Sequence, residues 1–336
     1  MHLDLPLIWA GIIAFAVLAY VVLDGFDLGV GVLFIVEREN ADRGVMVNSI
    51  APMWDGNETW LVLGGGGLFA VFPLAYATIM PALYPVIIGM LLALVFRGVA
   101  FEFRFRAATQ RGRQGWDLAF SLGSTVAALC QGLALGGLLQ GVKVENRAYA
   151  GGWWDWLTGF TVLCGLAVVT GYALLGACWL IWRTEGALQQ RCRRHARTLG
   201  VVVLAFIAVV SLWTPMLNPS FYQRWFGWPG IVLTAPVPLL VALLAWGFWR
   251  GLSLKHDLTP FLCALGWFVL CFVGLGISMY PLIVPPSISI WQAAAPPASQ
   301  GFLLVGAVVL LPTILAYTGY SYWLFRGKVS HDTHYH

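Results

Sequence analysis

The chain has 336 residues, of which 10% are charged and 60% are hydrophobic, and its mean hydropathy is +0.79. An average soluble protein carries about 25% charged residues, so a water-soluble globule of this composition would expose far more apolar surface than solubility allows. The composition excludes a cytosolic enzyme and predicts a multi-pass membrane protein. The net charge of +4 gives no reason to expect a nucleic-acid partner.

Nine stretches of the chain are long and apolar enough to cross a bilayer, which needs about 20 such residues per helix. We therefore predict an all-α integral membrane protein with nine transmembrane helices. In chain order the predicted spans are 6–36, 54–73, 77–103, 117–140, 156–182, 199–216, 230–249, 258–282 and 302–325.

The basic residues lie mainly on one side of the predicted membrane. Nine spans place the two termini on opposite sides, and the loops on the side of the C-terminus hold most of the Lys and Arg residues. Cytoplasmic loops are enriched in these residues, so the N-terminus is predicted outside and the C-terminus in the cytoplasm. The basic residues predicted outside are Lys143, Arg147 and Arg224.

Ionisable side chains within the spans are concentrated in the first three. A rise of about 1.5 Å per residue brings five of them to the cytoplasmic third of one helical bundle. Acids spaced i, i+3 share one face of a helix, which applies to two pairs here. The five are Asp24, Asp27, Asp55, Glu58 and Arg97, and Glu102 follows near the end of span three.

Two interpretations of this cluster remain open, and they are compatible. A charge at the centre of a membrane helix costs about 2.5 to 3.5 kcal/mol, so these groups must reach water, share protons or pair. The functional interpretation is a proton entry vestibule that opens to the cytoplasm. The structural one is a salt-bridge clamp of Arg97 with Asp27 or Asp55 that joins three helices, with the other acids solvated near the headgroups.

Other features leave alternatives as well. The four glycines at 64–67 suggest room for a cofactor tail or a partner's ring, or else close helix packing or a local unwinding. The tail histidines His331, His334 and His336 suit either a metal or a mobile terminus, and we predict no metal site. All six histidines lie at termini or in predicted loops, whereas axial haem ligation needs a buried one. The chain is therefore predicted to hold no haem by itself.

Four segments carry long motifs. They begin at Asp24 (DGFDLG), Asn48 (NSIAPMWDGNETW), Phe96 (FRGVAFEFR) and Gln140 (QGV). With the stretch at 280–291, and over nearly the whole chain, they resemble subunit II of the cytochrome bd family of quinol oxidases.

This resemblance implies a heterodimer in the bacterial inner membrane. The partner, subunit I, would bind b-type haems and a third haem, of d or b type, at which O2 is reduced, and would carry the quinol site. Subunit II would be haem-free, with a first four-helix bundle at 1–150, a second at 151–299, and a peripheral ninth helix and cytoplasmic tail at 300–336. Some members hold a structural quinone in subunit II, and the resemblance leaves room for a small single-helix subunit.

The resemblance also implies roles for residues in the second span. The acid of the family's Trp-Asp-Gly-Asn motif lines a cytoplasmic proton pathway, which corresponds to Asp55 here, with Trp54 beside it. Many members have His and Gln where this chain has Met53 and Glu58. In these motifs the chain is most similar to the branch called cyanide-insensitive oxidases.

The leading hypothesis is a non-haem subunit of an enzyme that oxidises quinol and reduces O2 to water. No residue of this chain would make or break a bond with substrate. Asp55, Glu58, Asp27 and Asp24 would form the proton path, contributing to proton motive force. Arg97, Trp54 and Glu102 would support it. The alternatives are a proton-coupled secondary transporter, suggested by the glycine-rich second span, and a purely structural or assembly subunit.

Overall fold

A computed structural model describes residues 3–37 and 39–330 of the chain, and helices account for most of them. The tail histidines lie outside the described residues. In chain order the helices are α1 (Leu5–Leu33), α2 (Asn40–Ile50), α3 (Trp54–Val71), α4 (Pro73–Arg106), α5 (Gln110–Gln140), α6 (Gly159–Arg183), α7 (Gly186–Leu217), α8 (Pro219–Phe226), α9 (Gly230–Thr234), α10 (Pro236–Ser253), α11 (Thr259–Met279), α12 (Ile290–Ala293) and α13 (Pro297–Leu324).

Two short antiparallel hairpins complete the secondary structure of the described chain. The first pairs β1 (Val144–Glu145) with β2 (Ala148–Tyr149), and the second pairs β3 (Leu282–Val284) with β4 (Ile288–Ser289). Asn146 and Arg147 both have positive φ, of 48° and 65°. That is the backbone geometry of the tight two-residue turn that suits the twist of paired strands.

Eight helical segments in the described chain are long and apolar enough to cross a membrane. The remaining predicted span, 54–73, does form a helix, α3, but its first turns hold Asp55, Asn57 and Glu58 and lower its mean hydropathy. Span 230–249 is divided at Ala235 into α9 and α10, because Pro236 has no N–H with which to continue the backbone ladder. These features establish an all-α, multi-pass architecture.

The prediction of a loop between spans five and six is wrong in part. Helix α7 begins at Gly186, well before the predicted span at 199–216, so it includes Cys192 and His195. Its first turns are polar on one face only. Cys192 and Ala196 are buried on the other, which gives this extension a packed side and keeps it helical.

The helices pack in two groups that share an interface. The first group consists of α1, α3, α4 and α5. In the second group, α6 packs against α7 and α11, and α10 packs against α11. Helix α6 also contacts α1 and α5. At the closest approach, a Cβ on Gly29 of α1 would overlap the carbonyl oxygen of Tyr172 and would lie 2.8 Å from the backbone nitrogen of Gly176. Small residues allow backbones to approach this closely in membrane bundles.

Ion pairs tie the helices together at one end of the molecule, which we call the arginine-rich end. Asp117 of α5 accepts from Arg43 of α2 at 3.0 Å and from Arg104 of α4 at 2.5 Å. Arg191 of α7 pairs with Asp42 of α2. Helix α2 therefore links both groups of helices.

The chain following α13 is anchored at the same end. The guanidinium of Arg183 donates to the carbonyl oxygen of Phe325, and the carbonyl oxygen of Arg183 accepts from the backbone N–H of Val329 at 2.7 Å. Lys328 pairs with Asp257 at 2.6 Å. The end of α13 is thus fixed against α6 and against the loop before α11.

Loops connect the helices at the opposite end. Gly141 has φ +96°, a backbone conformation that favours glycine, and the next residue, Val142, donates its N–H to the carbonyl oxygen of Pro285 at 2.9 Å. The Trp291 indole donates to both carboxylate oxygens of Asp4, at 3.1 and 3.0 Å. These contacts connect the loops near 141 and 285 and tie the start of α1 to α12.

The contact between α1 and α6 predicts the effect of a single methyl group. Gly29→Ala should lower the melting temperature of the purified complex and destabilise it by at least about 1–3 kcal/mol, because the clash is with backbone that cannot rotate away. Gly11→Ala in the same helix is the matched control, since nothing lies within 4 Å of its Cβ position. Equal melting temperatures for the two variants would contradict this packing.

Candidate functional site

A buried arginine joins three helices of the first group. Arg97 of α4 is 1% exposed, and its Nη2 donates to Oδ1 of Asp24 on α1 at 3.1 Å. Its Nη1 donates to Oε1 of Glu58 on α3. The guanidinium carbon also lies 5.9 Å from the ring centroid of Trp54, within the range of a cation–π contact. Arg97 therefore has partners on both α1 and α3.

Asp27 has different partners. It is fully buried, and its Oδ2 accepts from the amide Nδ2 of Asn57 at 2.6 Å. The same amide nitrogen donates to the carbonyl oxygen of Leu23 at 3.2 Å. The Asn57 Oδ1 accepts from the hydroxyl of Tyr322 at 3.1 Å. Asp27 is therefore held by hydrogen bonds that reach the last turn of α13.

The site reaches the surface through a rim of acids. Asp55 is exposed, the side chain of Glu102 is 47% exposed, and Glu102 lies 3.9 Å from the guanidinium of Arg106. The Glu58 side chain is 29% exposed, between this rim and the buried arginine. Exposure falls from Asp55 through Glu58 to Arg97, so the acids form a graded path from the surface inward.

The pairing within the cluster differs from the predicted clamp. Arg97 binds Asp24 and Glu58, not Asp27 or Asp55. Both members of an i, i+3 pair lie on one face of a helix, and the rotation of that helix about its axis decides which of them meets the arginine. Here α1 turns Asp24 towards α4 and Asp27 towards α3.

The buried cluster has more carboxylates than cations. Asp24, Asp27 and Glu58 surround the single guanidinium of Arg97. Within residues 3–37 and 39–330, Oδ2 of Asp24 and Oδ1 of Asp27 have no hydrogen-bond partner. Ionised carboxylates without a counter-charge cost several kcal/mol each in an apolar interior, so bound water or a shared proton must compensate for them. A group that moves protons needs bound water or a second group that shares its proton, so either form of compensation is consistent with proton transfer.

A second polar chain leads from the turn before Asp24 towards α6. Tyr20 lies one turn before Asp24 on the same helix, α1, and both residues are buried. The Tyr20 hydroxyl accepts from Nε2 of Gln131 at 2.8 Å, and Oε1 of Gln131 accepts from the hydroxyl of Tyr172 at 2.7 Å. These hydrogen bonds connect α1, α5 and α6 one turn away from Asp24.

Sequence reasoning missed the neutral members of this network. Asn57 lies inside a motif that had been singled out, and Tyr20 precedes Asp24 by four residues, so helical spacing could have found both. No local signal points to Gln131 or Tyr322. They lie 111 and 265 residues from their partners, and only the tertiary packing brings them there.

The glycine run in α3 is helical throughout, so the alternative of a local unwinding does not apply. A Cβ at Gly64 would lie 3.3 Å from Val17, and one at Gly67 would lie 3.1 Å from Ile13, so these two glycines pack against α1. Nothing lies within 4 Å of the Cβ positions of Gly65 and Gly66. Gly64 and Gly67 therefore allow close packing against α1, while Gly65 and Gly66 leave open space on another side of the helix.

The two described histidines lie at the arginine-rich end, His195 in the first turns of α7 and His256 in the loop before α11. His195 is half-buried in the polar start of α7, and His256 is exposed, with its Nδ1 3.3 Å from the hydroxyl of Thr259. His195 borders a small pocket together with Leu33, Leu180 and Cys192. Among the residues that the structure describes, no set of three His, Cys, Asp or Glu side chains has the arrangement of a metal site.

A cavity lies away from this acid cluster. It has a volume of about 430 Å³ at the opposite end, where Gln140, Lys143, Tyr149, Asp155 and Trp156 contribute to its lining. None of the predicted site residues lines it. The graded acid path is a better candidate for function, because it combines buried charge with access to the surface.

The chain is similar to known proteins along nearly its whole length. The family model described as cytochrome bd terminal oxidase subunit II matches residues 5–325. The chain is 32% identical to cytochrome bd-I ubiquinol oxidase subunit 2 of Escherichia coli K12, over 98% of this chain and 96% of that protein. It is 31% identical to cytochrome bd ubiquinol oxidase subunit 2 of Bacillus subtilis 168, over 96% of each chain.

A solved structure shares the fold. One chain of the bd oxidase from Geobacillus thermodenitrificans superposes with a TM-score of 0.80, covering 96% of this chain and 99% of that one at 17% identity. With the family model matched along nearly its whole length, the chain belongs to the cytochrome bd terminal oxidase subunit II family.

Proposed function

We propose that this chain is the haem-free subunit II of a cytochrome bd-type oxidase in a bacterial inner membrane. The complex would catalyse 2 quinol + O2 → 2 quinone + 2 H2O, and this chain would stabilise the haem-binding subunit I and supply protons from the cytoplasm. The observation that carries the proposal is the graded path from exposed Asp55 through Glu58 to the buried pair of Arg97 and Asp24.

The proposed orientation puts the arginine-rich end in the cytoplasm. The ends of α4 and α6 and the start of α7 carry Arg104, Arg183 and Arg191 there, in agreement with the enrichment of basic residues in cytoplasmic loops. In this orientation α3, the second span along the chain, brings the total to nine. Its polar first turns lie at the cytoplasmic membrane boundary. Two four-helix bundles at 1–150 and 151–299, with a peripheral helix from 300, remain our proposed division.

Subunit I is the proposed cover for the exposed side of α3 and α4. Val62 is 74% exposed, Phe69 61% and Phe96 60%, beside the partly exposed carboxylate of Glu58. A face that combines large apolar side chains with a carboxylate at membrane depth is better matched by protein than by lipid alone. Protons leaving the path on this side would reach the partner subunit.

In the proposed mechanism this chain moves protons and makes no bond with substrate. Water at the cytoplasmic rim exchanges protons with Asp55 and Glu102, and Glu58 accepts a proton from this rim. Arg97 stabilises the ionised form of Glu58 and Asp24, so a proton that enters is released again rather than trapped. Asp24 and Asp27 hold the proton at the buried end, before it passes to the partner. The haems of the partner would supply the redox chemistry when bound.

A secondary transporter is less well supported. The buried charges lie in α1, α3 and α4, towards the arginine-rich end, whereas transporter sites tend to lie at the membrane midplane between structural repeats. A purely structural subunit differs from our proposal only in whether the acids matter for turnover.

Neutralising the acids tests the proton path. Glu58→Gln should slow quinol-driven O2 consumption by about 100-fold, the order expected for losing a positioned proton-transfer group. Asp55→Asn should slow turnover and proton uptake less, because water reaches that position directly. Glu145→Gln changes an exposed acid at the opposite end and should have no effect. Wild-type turnover and proton uptake in stable Asp55→Asn and Glu58→Gln complexes would contradict the proposal.

Substituting Arg97 distinguishes its role as a salt-bridge clamp from its role in the proton path. Arg97→Gln should destabilise the complex by about 3–5 kcal/mol, since it leaves buried carboxylates without their counter-charge. The double variant Arg97→Gln with Asp24→Asn should recover part of that stability but not the turnover. Arg106→Gln, on the same helix and largely exposed, is the control. Thermal melting and O2 consumption measure the two effects, and recovery of both would indicate a purely structural role.

A further inference from the structure

We propose that Tyr322, on the last turn of α13, is a positioning residue for the buried carboxyl group of Asp27 and acts through the amide of Asn57. The inference rests on the proposed proton path and names a residue of the peripheral helix on which that path depends. Tyr322 would not carry the proton itself, because an amide between it and Asp27 does not relay protons.

The Asn57 amide has one orientation that satisfies its neighbours. Its Nδ2 donates both to Asp27 and to the carbonyl oxygen of Leu23, at 2.6 and 3.2 Å, while its Oδ1 accepts from the Tyr322 hydroxyl at 3.1 Å. A flipped amide would bring its oxygen against two acceptors on α1. The tyrosine hydroxyl supplies the donor on the other side, so it selects the orientation in which Asp27 receives a hydrogen bond.

Asp27 depends on this amide because its other oxygen has no partner among the described residues. The charged and polar groups that face it are Asp24 of α1, Asn57 and Glu58 of α3, Arg97 of α4 and Tyr322 of α13. The guanidinium of Arg97 is engaged with Asp24 and Glu58. The Asn57 amide therefore sets the geometry from which Asp27 accepts and releases a proton.

The position of Tyr322 is fixed by α1 and α6. Its ring centroid lies 6.3 Å from that of Trp179 and 6.4 Å from that of Phe26. Three residues later, the carbonyl oxygen of Phe325 accepts from Arg183, whose guanidinium lies over the Trp179 ring at 5.2 Å. Most of α13 is exposed, whereas this last turn is anchored, which matches a requirement for precise placement of the hydroxyl.

The test is Tyr322→Phe in the assembled complex, which keeps the ring contacts and removes only the hydroxyl. We expect a complex that still assembles, with a lowered melting temperature and about fivefold slower turnover, the factor that corresponds to one buried hydrogen bond. Tyr320→Phe is the matched control, because Tyr320 lies on the same helix and is 58% exposed. Wild-type turnover in Tyr322→Phe would overturn the inference.

Two readouts distinguish positioning from a general structural effect. In infrared difference spectra, the carboxyl band that Asp27→Asn removes should shift in Tyr322→Phe and not in Tyr320→Phe. In the Asp27→Asn background, Tyr322→Phe should slow turnover no further, because its effect passes through Asp27. Additive losses, or an unshifted band, would overturn the inference.

The same variants distinguish failure of this inference from failure of the proposed function. If Asp27→Asn leaves turnover unchanged, Asp27 is not on the proton path and both proposals fail at this residue. If Asp27→Asn slows turnover while Tyr322→Phe does not, only the role of Tyr322 is lost. Should Tyr322→Phe fail to assemble, a fluorinated tyrosine at position 322 keeps the shape and changes the acidity of the hydroxyl. The Asp27 band should then shift, and an unchanged band would overturn the inference.

Discussion

The ion pairs of the buried Arg97 guanidinium with Asp24 and Glu58 are the interaction on which the rest of the structure depends. In an apolar surrounding, each of these charges would be costly alone, and together they are tolerated only because three helices hold them at contact distance. The cost explains why the charged groups are concentrated in one place. It also explains why α3 is less apolar than the other spans, since it must bring polar residues to the arginine.

Holding charges at contact distance requires rigid neighbours, and the fold supplies them on two sides. The backbones of α1 and α6 touch near Gly29, just beyond Asp24 and Asp27, so α1 cannot shift along its axis without a clash. At the arginine-rich end, Asp117 links α2, α4 and α5. The Arg104–Asp117 pair is buried, so loss of either partner would leave an uncompensated charge, and together these pairs fix the helix ends that carry the proposed path.

The sequence predicted the architecture well because membrane spans depend on length and apolar composition, which are local properties. The residues of the site were also found, since an ionisable side chain among apolar ones stands out. The partners of Arg97 were not, because the choice between Asp24 and Asp27 depends on helix rotation. Tyr322 could not be found at all. It meets Asn57 only because α13 returns to the first helices after 265 residues, and no periodicity carries that information.

The most direct test of the account is time-resolved proton uptake by the complex of this chain with subunit I in oriented vesicles. A pH dye confined to the side of the arginine-rich end reports protons taken up during a single reaction of the reduced complex with O2. The account predicts that protons disappear from that side in step with O2 reduction, and that Glu58→Gln delays both events together. Uptake from the opposite side, or wild-type uptake in a stable Glu58→Gln complex, would contradict it.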